Sequence, residues 1–327
     1  MTMQPFAAVI LVLCTFAACA QPVVPQPAAY PSKPIRLVVP FPPAGPTDVV
    51  ARLVGQKLAE RWNQQVVVEN RAGAGGTIGA ELVARTAADG YTLLMGSTAN
   101  MAVNVTLYAK LSYDPMKDFV PVNLAAITPN LMVVNPSLPV ANVREFIALA
   151  MAKPASINYA SGGSGTPSHL AAELFKTMAG IQMNHIPYKG SIPALTDVMG
   201  GQVTLMFDSM PSALPLVKSG RLKALAQTGA KRSASVPELP TIGESGLPGY
   251  EVAGWFGLFA PAGTPRDIVT KLSNEITLVL NLPDVKERYS LLGAEPGPGN
   301  PAEFAQFLAS EIAKWAKVIR DSGAKAE

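Results

Sequence analysis

The chain has 327 residues, which is more than one hydrophobic core usually organises, so we expect two lobes. Apolar residues make up 49% of it and charged residues 15%, a composition that supports a large core and excludes a disordered tail. The formal charge of +3 comes from scattered Lys and Arg, with no run of five basic residues, so no nucleic-acid partner is expected.

The N-terminal segment has the features of an export signal. Residues 1–32 carry no charged side chain, and 6–18 are almost wholly apolar. This stretch is too short to span a bilayer as a helix but suits the hydrophobic region of a signal peptide. The A-x-A pattern around Cys19 predicts a signal peptide over 1–20, cut before Gln21. Alternatively, a lipoprotein signal ends before Cys19, which then carries a lipid anchor. Both readings predict a periplasmic protein.

The cysteines bound the chemistry of the mature chain. Cys14 and Cys19 are the only two, and both lie in the export segment. A disulfide scaffold, a cysteine nucleophile and a thiolate metal site are therefore not expected. The next residues, 21–30, are rich in Pro and Ala and are interpreted as a flexible lead-in. Beyond residue 30 no apolar run reaches 18 residues, so no further membrane span is predicted.

From residue 34 onward, strand and helix patterns alternate. We predict strands over 34–39, 66–68 and 92–95, a helix capped by Thr47 or Asp48, and a helix over 77–87. The apolar stretch 119–134, interrupted by Pro129, is expected to cross from one lobe to the other. Such alternation is typical of a parallel sheet covered on both faces.

The alternation then starts again. Helices are predicted over 142–153, 168–179 and 192–199, and strands over 157–160, 183–186, 203–208 and 222–227. An irregular connection over 229–250 leads to a returning strand, 251–260, and a helical C-terminus. The pattern predicts an α/β fold with two lobes, each a mostly parallel sheet flanked by helices, with crossover strands as the hinge. Lobe 1 comprises 31–127 and 251–327, and lobe 2 comprises 128–250.

Two strand-to-helix loops are the strongest binding candidates, because open parallel sheets bind ligands beyond the carboxyl ends of their strands. Loop 40–48 is shaped by prolines, contains Gly45 and ends at a helix N-terminus, which favours a carboxylate. An ordinary helix cap would look the same. Loop 161–168, SGGSGTPS, offers glycines and hydroxyls in the same position of the second lobe, although a flexible connection is the alternative.

Other motifs are weaker. NRAGAGGTIG has Ile78 where a dinucleotide fingerprint needs its third Gly, so we interpret it as a tight turn with close helix–sheet packing. His169 is expected to begin a helix and to line the cleft, and His185 is expected to be structural; the two have no metal-ligand spacing. Asp208 ends a strand and suits either an interlobe hydrogen bond or a ligand contact. Trp255 is interpreted as core or hinge packing rather than a stacking platform.

Six blocks of the sequence resemble the substrate-binding proteins of tripartite tricarboxylate transporters, also called the Bug family. The blocks are YPSKPIRLVVPFPPAGPTD, VVVENRAGAGGTIGAE, ADGYTLLMGS, INYASGGSGTPSHLAAELF, IPYKGSIPAL and GLFAPAGTP, running in order from Tyr30 towards the C-terminus. The resemblance implies a two-lobed Venus-flytrap fold with no cofactor, no metal and no catalysis. It also implies an organic acid ligand (a di- or tricarboxylate, an acidic amino acid or an aromatic acid), membrane permease subunits as partners, and a monomer.

The resemblance further implies ligand contacts through backbone amides, hydroxyls and ordered waters. The ligand-binding residues it carries over are Phe41, Pro43, Gly45, Thr47, Asp48, Ser97, Thr98, Ser161, Gly165, Thr166, Ser168, Tyr188 and Asp208. The sequence departs from the family pattern at Ala44, which replaces the first Gly of a usual pair, and at Asn63 and Ala72. A methyl group at Ala44 is expected to trim the cleft or redirect a bridging water.

Two other functions remain open at this point. A sensor that signals to a membrane kinase has the same sequence features as a transport receptor. A hydrolase using Ser164 or Ser168 with His169 lacks the G-x-S-x-G elbow, because Thr166 falls where the last Gly belongs.

Overall fold

A computed structural model describes residues 30–322 apart from 155 and 298. The predicted export segment and its two cysteines lie outside the described residues. None of the helices in the described part combines the length and hydropathy that a membrane span requires.

Nine strands form the framework of the described chain. They are β1 (Ile35–Val39), β2 (Val66–Asn70), β3 (Thr92–Ser97), β4 (Phe119–Val134), β5 (Asn158–Ser161), β6 (Asn184–Pro187), β7 (Leu205–Ser209), β8 (Lys223–Gln227) and β9 (Ala253–Pro261).

The helices alternate with these strands. They are α1 (Pro46–Trp62), α2 (Thr77–Ala84), α3 (Asn104–Leu107), α4 (Val143–Ala152), α5 (Pro167–Ala179), α6 (Ser191–Met199), α7 (Met210–Lys218), α8 (Arg266–Leu280), α9 (Pro283–Leu292) and α10 (Pro301–Ser322). A 3₁₀ turn (Ala74–Gly76) precedes α2, and a π-helical segment (Ala99–Val103) precedes α3.

Two groups of parallel strands are joined through β4 and β9. In the first group, β1 pairs in parallel with β2 and β3. In the second, β5 pairs in parallel with β6 and β7. The strand order is β2-β1-β3-β9-β4-β7-β5-β6, with β8 also on β4. The α/β prediction is confirmed, and two antiparallel strands complete it.

The long strand β4 belongs to both groups. Residues 119–129 pair antiparallel with β9, whereas residues 130–134 pair with β7 and β8. The change of partner falls next to Pro129, which has no N–H to donate to a ladder. The predicted crossover is therefore a single continuous strand.

Separate hydrophobic clusters lie against the two groups. One contains Leu37, Leu58 and Ile276, and another contains Leu131, Val198 and Leu214. A third cluster extends across both through Leu107, Leu170 and Trp315, among others. The two halves therefore pack together as well as share strands.

Several predicted boundaries shift. The predicted helix caps are wrong: the N-cap of α1 is Gly45, and both Thr47 and Asp48 lie inside the first turn. Helix α2 ends at Ala84 rather than at 87. The glycine-rich segment before α2 is the tight turn that the sequence predicts, because Gly73, Gly75 and Gly76 all have positive φ. Gly79, inside α2, allows the predicted close packing, because a Cβ there would lie 2.8 Å from Pro40 Cα, just after β1.

Candidate functional site

One cavity lies where the carboxyl ends of both parallel groups meet. It encloses about 640 Å³, counting the part that opens to solvent. Its lining residues come from both halves of the chain: Phe41, Pro42, Pro43, Gly45, Pro46, Thr47, Ser97, Thr98, Ala99, Asn130, Gly162, Thr166, Pro167, Ser168, Gly190, Ser191, Ile192, Asp208, Ser209, Gly254, Trp255 and Phe256. The described residues that line it include no Lys, Arg or His.

Four helices begin at this cavity. Helix α1 presents Gly45-Pro46-Thr47, α5 presents Thr166-Pro167-Ser168, α6 presents Gly190-Ser191-Ile192, and α7 presents its N-cap Ser209. The first N–H groups of a helix have no partner in the helix itself, and the helix dipole places a partial positive charge there. In α1 and α5 a proline occupies the first position, where its missing N–H costs no helix bond. The arrangement suits an anionic group without any basic side chain.

The loop before α1 is held by Asp48 from outside the cavity. Asp48 Oδ2 accepts hydrogen bonds from Ala44 N at 2.9 Å and Arg52 Nε at 2.8 Å, and Oδ1 accepts one from Asn70 Nδ2 at 2.9 Å. Asn70 Nδ2 also donates to Phe41 O at 3.0 Å. Although burial opposes it, these donors lower the pKa of Asp48 and keep the carboxylate charged. Asp48 does not line the cavity but fixes the loop that does.

Ala44 also lies outside the cavity lining. Its φ of 62° is in the left-handed region, whereas Gly45 has an ordinary φ of −74°. Position 44, and not position 45, therefore has the left-handed backbone conformation that favours glycine. We expected a methyl group at Ala44 to trim the cleft or redirect a bridging water. Ala44 is not a lining residue, and its positive φ places a cost on the backbone of the loop, while an effect on a bridging water stays a prediction.

The end of β3 contributes a second polar wall. Ser97 donates to Asn100 Oδ1 from its backbone N at 2.8 Å and from its Oγ at 2.9 Å. Thr98 Oγ1 accepts from the backbone N of Trp255 at 2.9 Å and so links β3 to β9. The π-helical segment that carries Asn100 was not predicted, because its apolar run gives no distinct periodicity.

Thr166 caps α5 in the second-lobe loop. Its Oγ1 donates to Gly163 O at 2.7 Å and accepts from His169 N at 3.4 Å. Ser168, which lies in the first turn of α5, is 5% exposed, and its Oγ has no hydrogen-bond partner. A buried hydroxyl without a hydrogen-bond partner destabilises the folded protein, and a ligand that bonds it would remove this cost.

Two other residues predicted from this loop support it rather than line the cavity. Ser161 is fully buried, and its Oγ contacts His185 Nε2 at 2.6 Å. Gly165 has a φ of 77°, and a Cβ there would lie 2.1 Å from Leu107 Cδ2. Gly165 therefore lets the loop approach α3 across the two halves of the chain.

The histidines are packed together away from the cavity. The rings of His169 and His185 stack with centroids 4.1 Å apart, and His185 stacks on Tyr159 at 4.9 Å. His169 Nδ1 accepts a hydrogen bond from Gly165 N at 3.0 Å, and burial lowers the pKa of His169. His169 is therefore engaged with the backbone and not with Ser168. It does not line the cavity, contrary to expectation.

Asp208 is a buried carboxylate in the cavity wall. It is 2% exposed, its Oδ1 accepts from Ser191 Oγ at 2.8 Å, and its Oδ2 accepts from Ser212 Oγ. Burial raises the pKa of Asp208 to about 6, although the hydrogen bonds oppose the shift. Tyr188, by contrast, lies outside the lining, and its hydroxyl donates to Asp197 Oδ2 at 2.6 Å.

Asn130 was missed by the sequence analysis. It lies on β4 where that strand changes partner, and it is paired with Ser209 of β7. It is 1% exposed, and neither Nδ2 nor Oδ1 has a hydrogen-bond partner. The only available signal was an amide inside the apolar stretch 119–134.

Trp255 combines packing with a cavity position. It is 1% exposed and its ring packs edge-on against Phe304 and Phe307. Its Nε1 donates to Glu311 Oε2 at 2.9 Å, which ties β9 to α10. This fits the predicted packing role.

The cavity thus brings together most of the predicted residues from separate parts of the chain. Those that line it are Phe41, Pro43, Gly45, Thr47, Ser97, Thr98, Thr166, Ser168 and Asp208. Those that do not are Asp48, Ser161, Gly165 and Tyr188. Within the described chain, no group of His, Cys, Asp and Glu is placed to hold a metal ion.

Comparison with known proteins identifies the family. The model of the tripartite tricarboxylate transporter family receptor matches residues 50–324. Protein BugT of Bordetella pertussis is 40% identical over 326 residues, covering 99% of both chains.

Solved structures agree in fold. Rpa4515 of R. palustris, solved with adipate, is 41% identical with a TM-score of 0.89, and the match covers 91% of this chain and 100% of that one. MatC from Rhodopseudomonas palustris, solved with bound malate, is 37% identical with a TM-score of 0.83, over 89% and 100% of the two chains. The periplasmic binding protein BugD is 36% identical with a TM-score of 0.86, over 91% of this chain and 100% of that one. The chain therefore belongs to the tripartite tricarboxylate transporter family of receptors.

Proposed function

We propose that this protein is a periplasmic receptor that captures a small organic carboxylate between two lobes and passes it to a membrane permease. The observation that carries the proposal is the convergence of the N-termini of α1, α5, α6 and α7 on one cavity whose described lining residues include no basic side chain. The adipate and malate bound by the two neighbours support a carboxylate ligand. Membership of the transporter receptor family supports the periplasmic location and the permease partner.

In this proposal the two halves close on the ligand. Lobe 1 comprises 31–127 and 251–327, lobe 2 comprises 128–250, and the hinge lies where β4 and β9 pass between them. Closure is stabilised by contacts that only the closed form makes. A Cβ on Gly190 would lie 3.0 Å from Pro42 Cγ, so the two loops already meet across the cavity mouth.

In this proposal, some of the predicted residues contact the ligand and others support the loops that contact it. The ligand touches the lining residues Phe41, Pro43, Gly45, Thr47, Ser97, Thr98, Thr166, Ser168 and Asp208. Asp48, Ser161, Gly165 and Tyr188 hold the loops in place. Among the hydroxyls, Ser168 is the strongest candidate for a direct bond, because its Oγ is buried and has no partner.

Isothermal titration calorimetry with organic acids and their carboxamides tests the proposal. A carboxylate should bind and its uncharged carboxamide of the same shape should not, because helix N-termini favour the anion. Each hydrogen bond to a charged carboxylate contributes about 1.5–3 kcal/mol, so Ser168→Ala should weaken binding roughly tenfold or more. The matched control is Ser310→Ala, on the exposed face of α10, where Ser310 Oγ bonds only Phe307 O.

Two outcomes would overturn the carboxylate proposal. One is that no organic acid binds or raises the melting temperature, although bound ligand must stabilise the folded state by mass action. The other is that carboxamides bind as tightly as their acids. Cell fractionation tests the location separately, and a cytoplasmic pool of mature protein would contradict it.

A further inference from the structure

The glycine-rich binding loop in the second half of the chain, 161–168, is held by two stacked histidines. Near its start, Ser161 Oγ contacts His185 Nε2 at 2.6 Å. Near its end, Gly165 N donates to His169 Nδ1 at 3.0 Å. The two imidazole rings stack with centroids 4.1 Å apart and planes 8° apart. A loop that lines the cavity is therefore fixed on both sides through imidazole nitrogens.

Only one of these two contacts depends on the charge of its histidine. A hydroxyl can donate or accept, so Ser161 can bond His185 in either protonation state. His169 Nδ1, by contrast, accepts from a backbone N–H, and a charged imidazole has no acceptor nitrogen. Neutral His169 therefore carries its hydrogen on Nε2, which lies 4.0 Å from Glu173 Oε1. A proton on Nδ1 would place two donors face to face and break the bond from Gly165 N.

The groups around His169 keep its ring neutral at neutral pH. Glu173 and Lys176 face it from its own helix. The ring of Tyr159 faces it from β5 and that of His185 from β6. Burial lowers the pKa of His169, Glu173 opposes this shift and Lys176 adds to it. Because histidine changes its charge between about pH 5 and 8, the contact with the loop can be lost on mild acidification.

A second acceptor for the Gly165 N–H is available in the first half of the chain. Asn104 Oδ1, on α3, is buried without a hydrogen-bond partner and lies 3.5 Å from the position that a Cβ on Gly165 would occupy. The orientation of this amide is fixed, because its Nδ2 donates to Gly75 O at 3.0 Å. An exchange of acceptor would move the loop backbone and, with it, the lining residues Thr166 and Ser168.

We propose that His169 is a positioning residue that keeps loop 161–168 in its ligand-binding form only while its ring is neutral, so that protonation weakens ligand binding. On protonation the Gly165 N–H passes from His169 Nδ1 to Asn104 Oδ1. This inference rests on the proposed capture of a carboxylate in the cavity. The apparent affinity then falls with the fraction of molecules whose loop is competent to bind.

Histidine NMR tests the first step in the unaltered, ligand-free protein. His169 and His185 are the only histidines in the sequence, so nitrogen-15 labelling of histidine gives two sets of imidazole signals. At pH 7.5, Nδ1 of His169 should show the chemical shift of an unprotonated nitrogen. As the pH is lowered to 5, the amide signal of Gly165 should move with the same midpoint as His169. A protonated Nδ1 at pH 7.5, or a Gly165 signal that does not follow His169, overturns the inference.

Calorimetry with succinate, L-malate, citrate and adipate tests the effect on binding. In His169→Asn, Oδ1 takes the place of Nδ1 as an acceptor that does not titrate in this range. From pH 7.5 to pH 5, the affinity of the unaltered protein should fall by about threefold or more beyond the fall measured for His169→Asn, as expected if about a third of the loops stay competent. Protonation of the acids and of Asp208 affects both proteins and cancels in this comparison.

The control is Asp267→Asn, on the exposed first turn of α8, which should keep the pH profile of the unaltered protein. Equal pH dependence in the unaltered protein and His169→Asn overturns the inference, even where an acid binds at pH 7.5. If none of the acids binds at pH 7.5, the effect on binding fails together with the proposed function. The NMR titration, which needs neither ligand nor variant, then still decides whether His169 controls the loop.

Discussion

Asp208 should reduce the stability of the ligand-free protein at neutral pH, and replacing it should reveal by how much. The ordinary pKa of 3.8 rises to about 6 in the folded state because the side chain is buried. Between these values the folded protein binds more protons at this site than the unfolded chain does. Stability from this site is therefore fully present below about pH 4 and is lost as pH rises towards 6.

The size of the effect follows from the two pKa values. A difference of one pKa unit corresponds to about 1.4 kcal/mol, so the change from 3.8 to about 6 amounts to about 3 kcal/mol of free energy of unfolding. In Asp208→Asn this penalty is absent. The amide Oδ1 still accepts from Ser191, and the amide nitrogen donates to Ser212 Oγ, whose own hydrogen then goes to Ser209 O, so we expect these contacts to change the unfolding free energy by no more than about 1 kcal/mol.

The difference in unfolding free energy between variant and unaltered protein should therefore rise by about 2.5 kcal/mol from pH 4 to pH 8, because part of the full change already lies below pH 4. Urea denaturation of ligand-free protein at intervals across this range measures it, and the other titrating groups cancel in the difference. Asp267→Asn, on the surface, should show no such rise. A pH-independent difference for Asp208→Asn would refute the claim that burial controls the ionisation of this carboxylate.

Three further predictions concern the loops. Thr166→Ala removes the cap of α5 and should lower the unfolding free energy by about 1 kcal/mol while weakening carboxylate binding; unchanged values in denaturation and calorimetry would contradict both roles. Ala44→Gly should raise the unfolding free energy by about 0.5–1 kcal/mol, because φ at this position is 62°, and a loss of stability would show that the methyl group packs usefully. His169→Gln should reduce the fall in unfolding free energy that occurs as pH drops below about 6.5. Burial lowers the pKa of His169, so protonating it destabilises the folded state and breaks the hydrogen bond from Gly165 N. Identical acid profiles of the two proteins would contradict that reasoning.

The sequence was sufficient to find the loops because their position is fixed by topology. Parallel strands end at a common edge, so the segments after β1 and β5 had to lie near each other once both groups were recognised. Glycine and proline then marked the turns at which α1 and α5 begin. The predicted residues Thr47, Thr166 and Ser168 line the cavity for this reason.

The direction in which each side chain points could not be predicted from the sequence in the same way. Asp48 lies one position after Thr47, yet its carboxylate points to Ala44 N and Arg52 rather than to the cavity. In the sequence, Asn130 is a single amide within an apolar stretch. Its position in the cavity could not be predicted, because it depends on where β4 changes partner. The role of Gly165 depends on Leu107, which is distant in sequence. Such contacts arise only when the two halves of the chain are packed together.

The shared strand β4 has a consequence for protein engineering. In the proposed division of the chain, lobe 2 begins at Thr128 and ends at 250, shortly before Gly254, and Thr128 and Gly254 lie directly opposite each other on β4 and β9. The two ends of the segment between them are therefore adjacent in the sheet, so the segment is an insertion into the first half of the chain and not a domain joined to it by a long linker. Exchanging that segment between related receptors at this junction should recombine one half-site with another while leaving the ladder across the junction intact.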